Sequence, residues 1–367
     1  MSTGPVRGAV LARTGAGQPW VRRGRRWCVV GYAHRRRGAP PVMARTTPPR
    51  PVNMAEVFPE LAGMTRTTTR LHPRRGDPTV ERSSVGGPLL WPVEEPWPRC
   101  HDCHHNKYGF APELTSLHEV RAARGLVTGE PSPLSAEDLE TLRRSKEGVP
   151  VAEHALSPMP LLPVAQLYAT EIPDLVCPPG ADLLQVLWCP FDHEDDYTPN
   201  VWLYWRRAAD IEHVLLEPPE PALVVDEEFV PHPCVLNPER IIEFPPLHLI
   251  PQNLAERIRH WEQERHMDYD DDLSIPPGWK VGGWESMWTF RDPIPLGCEQ
   301  CGSDVEPLLM MEGGNFTPSW RAVEDNAELG EVPDGESHPG VRIGRGYTLQ
   351  IYCCSRDRRH PCVTAMQ

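Results

Sequence analysis

No stretch of this 367-residue chain approaches the ~20 consecutive apolar residues of a membrane-spanning helix. Its N-terminal stretch does not read as a secretory leader: the apolar run after Arg26, Trp27-Cys-Val-Val30, is too short, and no small-residue cleavage site follows a longer one. Val85-Gly-Gly-Pro88 is not followed by Gly-Lys-Ser/Thr, so it is no phosphate loop. The acidic run Asp268-Tyr-Asp-Asp-Asp272 lacks the glycine and distal glutamate of a calcium loop and reads as a solvated linker. Residues 1–50 contain no lysine and no acid, only eleven arginines, which leaves the rest of the chain with 26 basic against 51 acidic side chains. A body so acidic argues against binding a phosphate backbone and favours a basic protein as partner. These absences place the expected protein in the cytoplasm, away from membranes.

What is abundant points to strands. Forty-four prolines and twelve tryptophans favour many short strands and turns over long helices. Runs of β-branched, aromatic and leucine residues at Leu161–Ala169, Leu183–Cys189, Val201–Trp205, Ala222–Val225 and Ile241–Phe244 are set off by Pro, Gly and Asp. In Trp202-Leu-Tyr-Trp205 nearly every residue is large and apolar, which suits a strand buried on both faces. Helical spacing is confined to short pieces: near 116–124, near 136–146 after the capping-box-like Ser135-Ala-Glu-Asp138, and at 252–266, where Leu254, Ile258 and Trp261 share a face. Residues 1–64 read as a disordered Arg/Pro-rich arm, with later methionines at Met43, Met54 and Met64 offering alternative starts. The expected order is then a first β-rich repeat over 65–250 with a helical insert, a helical and acidic linker over 251–279, and a second β-rich repeat over 280–367.

The case for two repeats rests on recurring order. Gly87 precedes Cys100 by 13 residues and Gly283 precedes Cys298 by 15; each glycine pair leads to a Cys-x-x-Cys, Cys100–Cys103 and Cys298–Cys301. A Pro-Leu-Leu segment follows each, at Pro160 and Pro307, and then a strand with glutamine four residues before a cysteine, Gln185 to Cys189 and Gln350 to Cys354. Self-similarity in this order predicts an internally duplicated, antiparallel β-rich α+β module with short helices in inserts and linkers.

Eleven cysteines without a leader read as reduced ligands rather than a disulfide framework. A Cys-x-x-Cys turn presents two sulfurs to one ion, and structural zinc completes its tetrahedron with thiolate or imidazole from elsewhere. The C-terminal candidates are Cys298, Cys301, Cys354 and Cys362, with His360 competing for the fourth place. The N-terminal candidates are Cys100, Cys103, Cys189 and His193, with His104 an alternative. Register with Cys189 selects Cys354 over its neighbour Cys353. Cys28, Cys177, Cys234 and Cys353 read as buried thiols.

Val85-Gly-Gly-Pro, Pro163-Val-Ala-Gln-Leu167, Leu184-Gln-Val-Leu-Trp-Cys-Pro190 and Lys280-Val-Gly-Gly-Trp resemble the YwqG-like family of bacterial proteins. The C-terminal half is also similar to the final domain of eukaryotic programmed cell death protein two. The likeness covers roughly 83–362. It departs from the pattern in the insert of the first half and in Trp284-Glu-Ser-Met-Trp288, which lacks the proline usual after Gly-Gly. The resemblance implies a duplicated β-rich fold that is not an enzyme, acting as a chaperone for a basic client or as an immunity protein against a toxin. Two other classes compete. A carboxylate hydrolase of glycosidase type would use Glu94, Glu95 and the acids between Asp192 and Asp196, with Trp91, Trp97 and Trp188 as platforms. A zinc-containing nucleic-acid binder would need the arginine arm of residues 1–52.

Overall fold

The computed structural model describes residues 20–23, 26–29, 44–101, 108–109, 149–150, 158–193, 198–221, 223–286, 296–312, 320–328, 338–343 and 347–366. Met1–Met43 and Ala44–Gln367 are separate units. Of the first, the described part is a hairpin, β1 (Trp20–Arg23) with β2 (Arg26–Val29). The helices expected near 116–124 and 136–146 lie outside the described residues.

In the second unit the strands are β3 (Arg66–Arg70), β4 (Arg74–Arg75), β5 (Ser84–Val85), β6 (Arg99–Cys100), β7 (Tyr108–Gly109), β8 (Val149–Pro150), β9 (Met159–Pro160), β10 (Leu162–Tyr168), β11 (Leu183–Asp192) and β12 (Pro199–Arg206). They continue with β13 (Cys234–Val235), β14 (Glu239–Glu243), β15 (Lys280–Gly282), β16 (Val305–Glu312), β17 (Thr348–Cys354) and β18 (Val363–Met366). The α-helices are α1 (Met54–Val57), α2 (Gln252–Arg265) and α3 (Val323–Glu328). Two six-stranded sheets result: sheet I in the order β12-β11-β10-β5-β13-β4, and sheet II in the order β14-β3-β15-β16-β17-β18. Every pairing within them is antiparallel. The β-rich class with few short helices is as expected.

One core joins the sheets. Val85, Val164, Val186 and Trp188 of sheet I cluster with Val281, Leu309, Ile351 and Cys353 of sheet II. Alternation sends the intervening residues the other way: Leu187 and Cys189 pack with Trp91, Trp97 and Phe191 in a second cluster. A third cluster seats α2 through Leu254, Ala255 and Ile258 against Met54, Phe58 and Leu61. The helix expected over 252–266 is therefore present within a residue of its bounds.

Five expectations need correction. Residues 44–64 are not part of an arm: Met54 and Leu61 are fully buried, and Arg50 donates to the carbonyls of Leu273, Ile242 and Ser274 at 2.6, 2.7 and 3.0 Å. The boundary at 250–280 does not partition the sheets either, because β3 and β14 from the first segment pair within sheet II. β12 is not buried on both faces; it is an edge strand, half-buried along nearly its whole length. The acidic run is more than a solvated linker: the Asp270 carboxylate accepts the Leu247 N–H at 3.0 Å, and burial pushes its pKa up to about 6. Finally, Leu223–Val225 forms no strand, although Val224 is fully buried.

The sheets correspond strand by strand in register. β10 pairs with β11 through Pro163↔Leu187 and, past an irregularity, Gln166↔Gln185; β16 pairs with β17 through Pro307↔Tyr352 and, past the same irregularity, Met310↔Gln350. Pro163, rather than Pro160, is thus the counterpart of Pro307. The glycine-led strands match as well, with Val85 opposite Ala165 and Val281 opposite Leu309. Ser84 and Lys280 therefore occupy equivalent positions. Gly86 (φ 62°) and Gly282 (φ 71°) follow as left-handed residues, a conformation glycine adopts without penalty.

Lys280-Val-Gly-Gly-Trp284 now has a physical reading. The Lys280 ammonium, buried, donates to both Glu243 carboxylate oxygens at 2.6 and 2.7 Å and to the Trp284 carbonyl at 2.8 Å. Glu243 Oε2 in turn accepts the Trp284 N–H at 2.9 Å. A Cβ on Gly283 would strike that carboxylate, so the second glycine makes room for the pair.

Candidate metal centre

At the C-terminal end of sheet II four side chains converge. Cys298, Cys301, Cys354 and His360 each bring one donor atom to within 4.8 Å of all the others. Cys298 Sγ lies 3.4 Å from His360 Nδ1, and Cys301 Sγ lies 3.5 Å from Cys354 Sγ. Donors held about 2.0–2.3 Å from a tetrahedral zinc ion are separated by roughly 3.3–3.8 Å from one another, so one ion fits between them with little movement.

Local chemistry explains how each ligand arrives. Cys298 and Cys301 flank a tight turn in which Gly302 N–H donates to the Cys298 carbonyl at 2.7 Å and Cys298 N–H to the Ser303 carbonyl at 2.9 Å. Gly302, at φ 69°, supplies the left-handed residue that the turn needs. Cys354 ends β17 opposite Val305, a few residues past the turn. His360 is delivered by a turn capped by Asp357, whose side chain accepts the Arg359 N–H at 2.9 Å and whose carbonyl accepts the His360 N–H at 3.1 Å. Hydrogen bonds from Ser303, side chain and backbone, hold the Cys301 thiol down to about 6, while burial pushes the Cys298 thiol up. A thiol already close to its ligating form lowers the cost of metal entry.

The fourth place belongs to His360. Cys362, the expected ligand, is not in the cluster: it sits just before β18, and its thiol donates to the Val201 carbonyl of β12 at 3.4 Å. Burial pushes that thiol up to about 12. Cys354, not Cys353, faces the cluster, as strand register requires. Cys353 points into the shared core and receives a hydrogen bond from Arg358 Nη1 at 2.8 Å. Ser303 escaped the sequence reading, and only its place two residues past the Cys-x-x-Cys hints at a role.

A second cluster lies on sheet I. Cys100, Cys189 and His193 also bring their donor atoms within 4.8 Å of one another, and all three are buried. Cys100 Sγ is 3.9 Å from His193 Nε2. Cys103 and His104 lie outside the described residues. No disulfide joins any of Cys100, Cys177, Cys189, Cys234, Cys298, Cys301, Cys353, Cys354 and Cys362, in keeping with ligands rather than a disulfide framework.

Among the described residues the hydrolase candidates do not assemble. Trp91, Trp97 and Trp188 are buried and offer no ring for a sugar to stack on. The Glu95 carboxylate is held by Arg206 through two bonds of 2.7 and 2.8 Å. Among the acids from 192 to 196, Asp192 alone lies within the described residues. No described helix is long and apolar enough to cross a membrane.

No family model matches the chain. The curated proteins yield no match to it either.

Proposed function

We propose that this chain is a non-enzymatic protein-binding module whose C-terminal half is stapled by a structural zinc ion. The convergence of Cys298, Cys301, Cys354 and His360 carries the zinc reading, since a set of three sulfurs and one nitrogen is the donor chemistry of a structural site. The acidic body supports a basic partner, whether a client protein or a toxin. The likeness to YwqG-like proteins and to programmed cell death protein two points the same way, toward a chaperone-like or immunity role in the cytoplasm. The matched register of β5-β10-β11-β12 and β15-β16-β17-β18 supports duplication of one unit. Affinity purification of the full chain at low salt, with zinc measured in the same sample, tests both halves of the proposal. The expected result is a basic protein that dissociates as salt rises and zinc that does not. Recovery of neither client nor zinc would overturn the reading.

A further inference from the structure

The geometry points to a second zinc ion on sheet I, held by Cys100, Cys189 and the Nε2 of His193, with Asn200 as the positioning residue that fixes the imidazole. It does not depend on the protein-binding role, and it goes beyond the C-terminal staple in place, in donor set and in the nitrogen used.

Strand register supplies the first argument. Cys189 lies two residues past Leu187 in β11, and Cys354 lies two residues past Tyr352 in β17; Leu187 and Tyr352 face the equivalent prolines Pro163 and Pro307. Both cysteines stand on the face turned away from the shared core, since the alternate residues Trp188 and Cys353 are the ones that enter it. The first sheet therefore repeats the thiolate position around which the C-terminal centre is built.

The second argument is the company that cysteine keeps. Cys100 is brought in by β6, which pairs with β9 through Cys100↔Met159. His193 directly follows β11 and is fixed by its N–H donating to the Thr198 carbonyl at 3.0 Å. Two thiols and an imidazole, each more than nine-tenths buried, converge to within 4.8 Å. That combination is a soft donor set rather than ordinary apolar packing.

The third argument concerns the ring. His193 Nε2 faces Cys100 Sγ, while Nδ1 lies 3.3 Å from the Asn200 amide nitrogen Nδ2 on β12. A 180° turn of that amide exchanges its nitrogen and oxygen, so that on metal binding Asn200 can accept the Nδ1–H and hold the tautomer whose Nε2 ligates. The C-terminal centre uses the other nitrogen, Nδ1 of His360. The two sites thus differ in the nitrogen donated, and the described residues of the first supply fewer thiolates.

Native mass spectrometry of the full chain, purified with zinc present, reads the prediction directly. Two zinc ions per chain are expected in the wild type, with one lost in Cys100→Ser and the other in Cys354→Ser. Asn200→Ala should keep both ions at saturating zinc but release one about 10–100-fold more readily to a competing chelator. Asn200→Asp, which can still accept the Nδ1–H, should restore retention. Should Cys100→Ser fail to fold, cobalt titration of the wild type decides: two binding phases with distinct thiolate-to-metal bands support the proposal, and one phase overturns it. A wild type holding a single ion that Cys100→Ser leaves in place would overturn it as well, whatever becomes of the C-terminal staple. Chelator release unchanged in Asn200→Ala would remove Asn200 from the role.

Discussion

Sheet I and sheet II share a run of four strands, β5-β10-β11-β12 and β15-β16-β17-β18, in matching register, yet they solve equivalent positions with opposite chemistry. Where sheet I has Ser84, sheet II buries the charged Lys280 against Glu243. The interstrand pair Gln166–Gln185 of sheet I donates to and accepts from the loop carrying Leu90, with Gln185 Nε2 bonded to the Leu90 carbonyl at 2.8 Å and to Gln166 Oε1 at 3.0 Å. In sheet II the partner of Gln350 is Met310; Gln350 Oε1 accepts the Ser286 N–H at 2.8 Å, and its amide nitrogen has no partner among the described residues. Tyr168 in sheet I corresponds to Glu312 in sheet II. Backbone pairing is thus compatible with either a neutral or an ionic filling, and what is kept between the halves is the glycine-led strand, the bulged proline and the cysteine on the outward face.

The largest expected effect separates the corner of the candidate metal centre from the rest. If the proposed zinc is bound, Cys298→Ser should destabilise the chain by about 5 kcal/mol or more, because such an ion contributes folding free energy directly. Denaturant melts with and without chelator would read it, and the variant should lose its sensitivity to chelator at that centre. Next comes the buried pair. Lys280→Met strands a buried carboxylate and should cost about 3–5 kcal/mol, whereas Ser84→Ala at the equivalent position of sheet I should fall within about 0.5 kcal/mol, since the Ser84 hydroxyl has no hydrogen-bond partner among the described residues. Equal costs for the two would break the comparison. Gly283→Ala should cost about 1–3 kcal/mol, from its φ of 79° and the clash with Glu243; combining it with Glu243→Gln should not add the two costs in full, because both act on one pair.

The smallest effect is a pH slope. Burial raises the Glu312 carboxyl to about 7, above its unfolded value, against the pull of the Gly278 N–H and Arg70. A raised carboxyl stabilises the fold while protonated, so this contribution is complete below the ordinary carboxylate range and is lost as pH rises toward about 7. Urea midpoints measured from pH 5 to pH 8 should fall less steeply in Glu312→Gln than in the wild type. Tyr168→Phe, at the matching place in sheet I, should leave the slope over that range unchanged.

Much of this was legible in the sequence because the signals are local. A Cys-x-x-Cys turn, a glutamine four residues before a cysteine and the leucine face of α2 are all fixed by spacing within a few residues. What escaped depends on residues far apart in the chain. β3, Arg66-Thr-Thr-Thr-Arg70, has no apolar residue and reads as a polar segment; it becomes a central strand because Asp174 accepts both Thr67 Oγ1 at 2.7 Å and Thr69 Oγ1 at 2.8 Å, and Arg70 donates to the Pro277 carbonyl at 2.8 Å. The choice between His360 and Cys362 was equally out of reach of spacing. It is settled by the Asp357 turn, which swings His360 inward, and by β12 of the other sheet, whose Val201 carbonyl takes up the Cys362 thiol. Asn200 carries no sequence signal as a partner of His193; the pairing of β11 with β12 brings the two together.

X-ray absorption at the zinc edge of the full chain carrying Cys100→Ser isolates the C-terminal centre and tests its chemistry most directly. The account predicts bound zinc with a first shell of three sulfurs at about 2.3 Å and one nitrogen at about 2.0 Å. A protein free of zinc, or a shell dominated by oxygen and nitrogen, would contradict it.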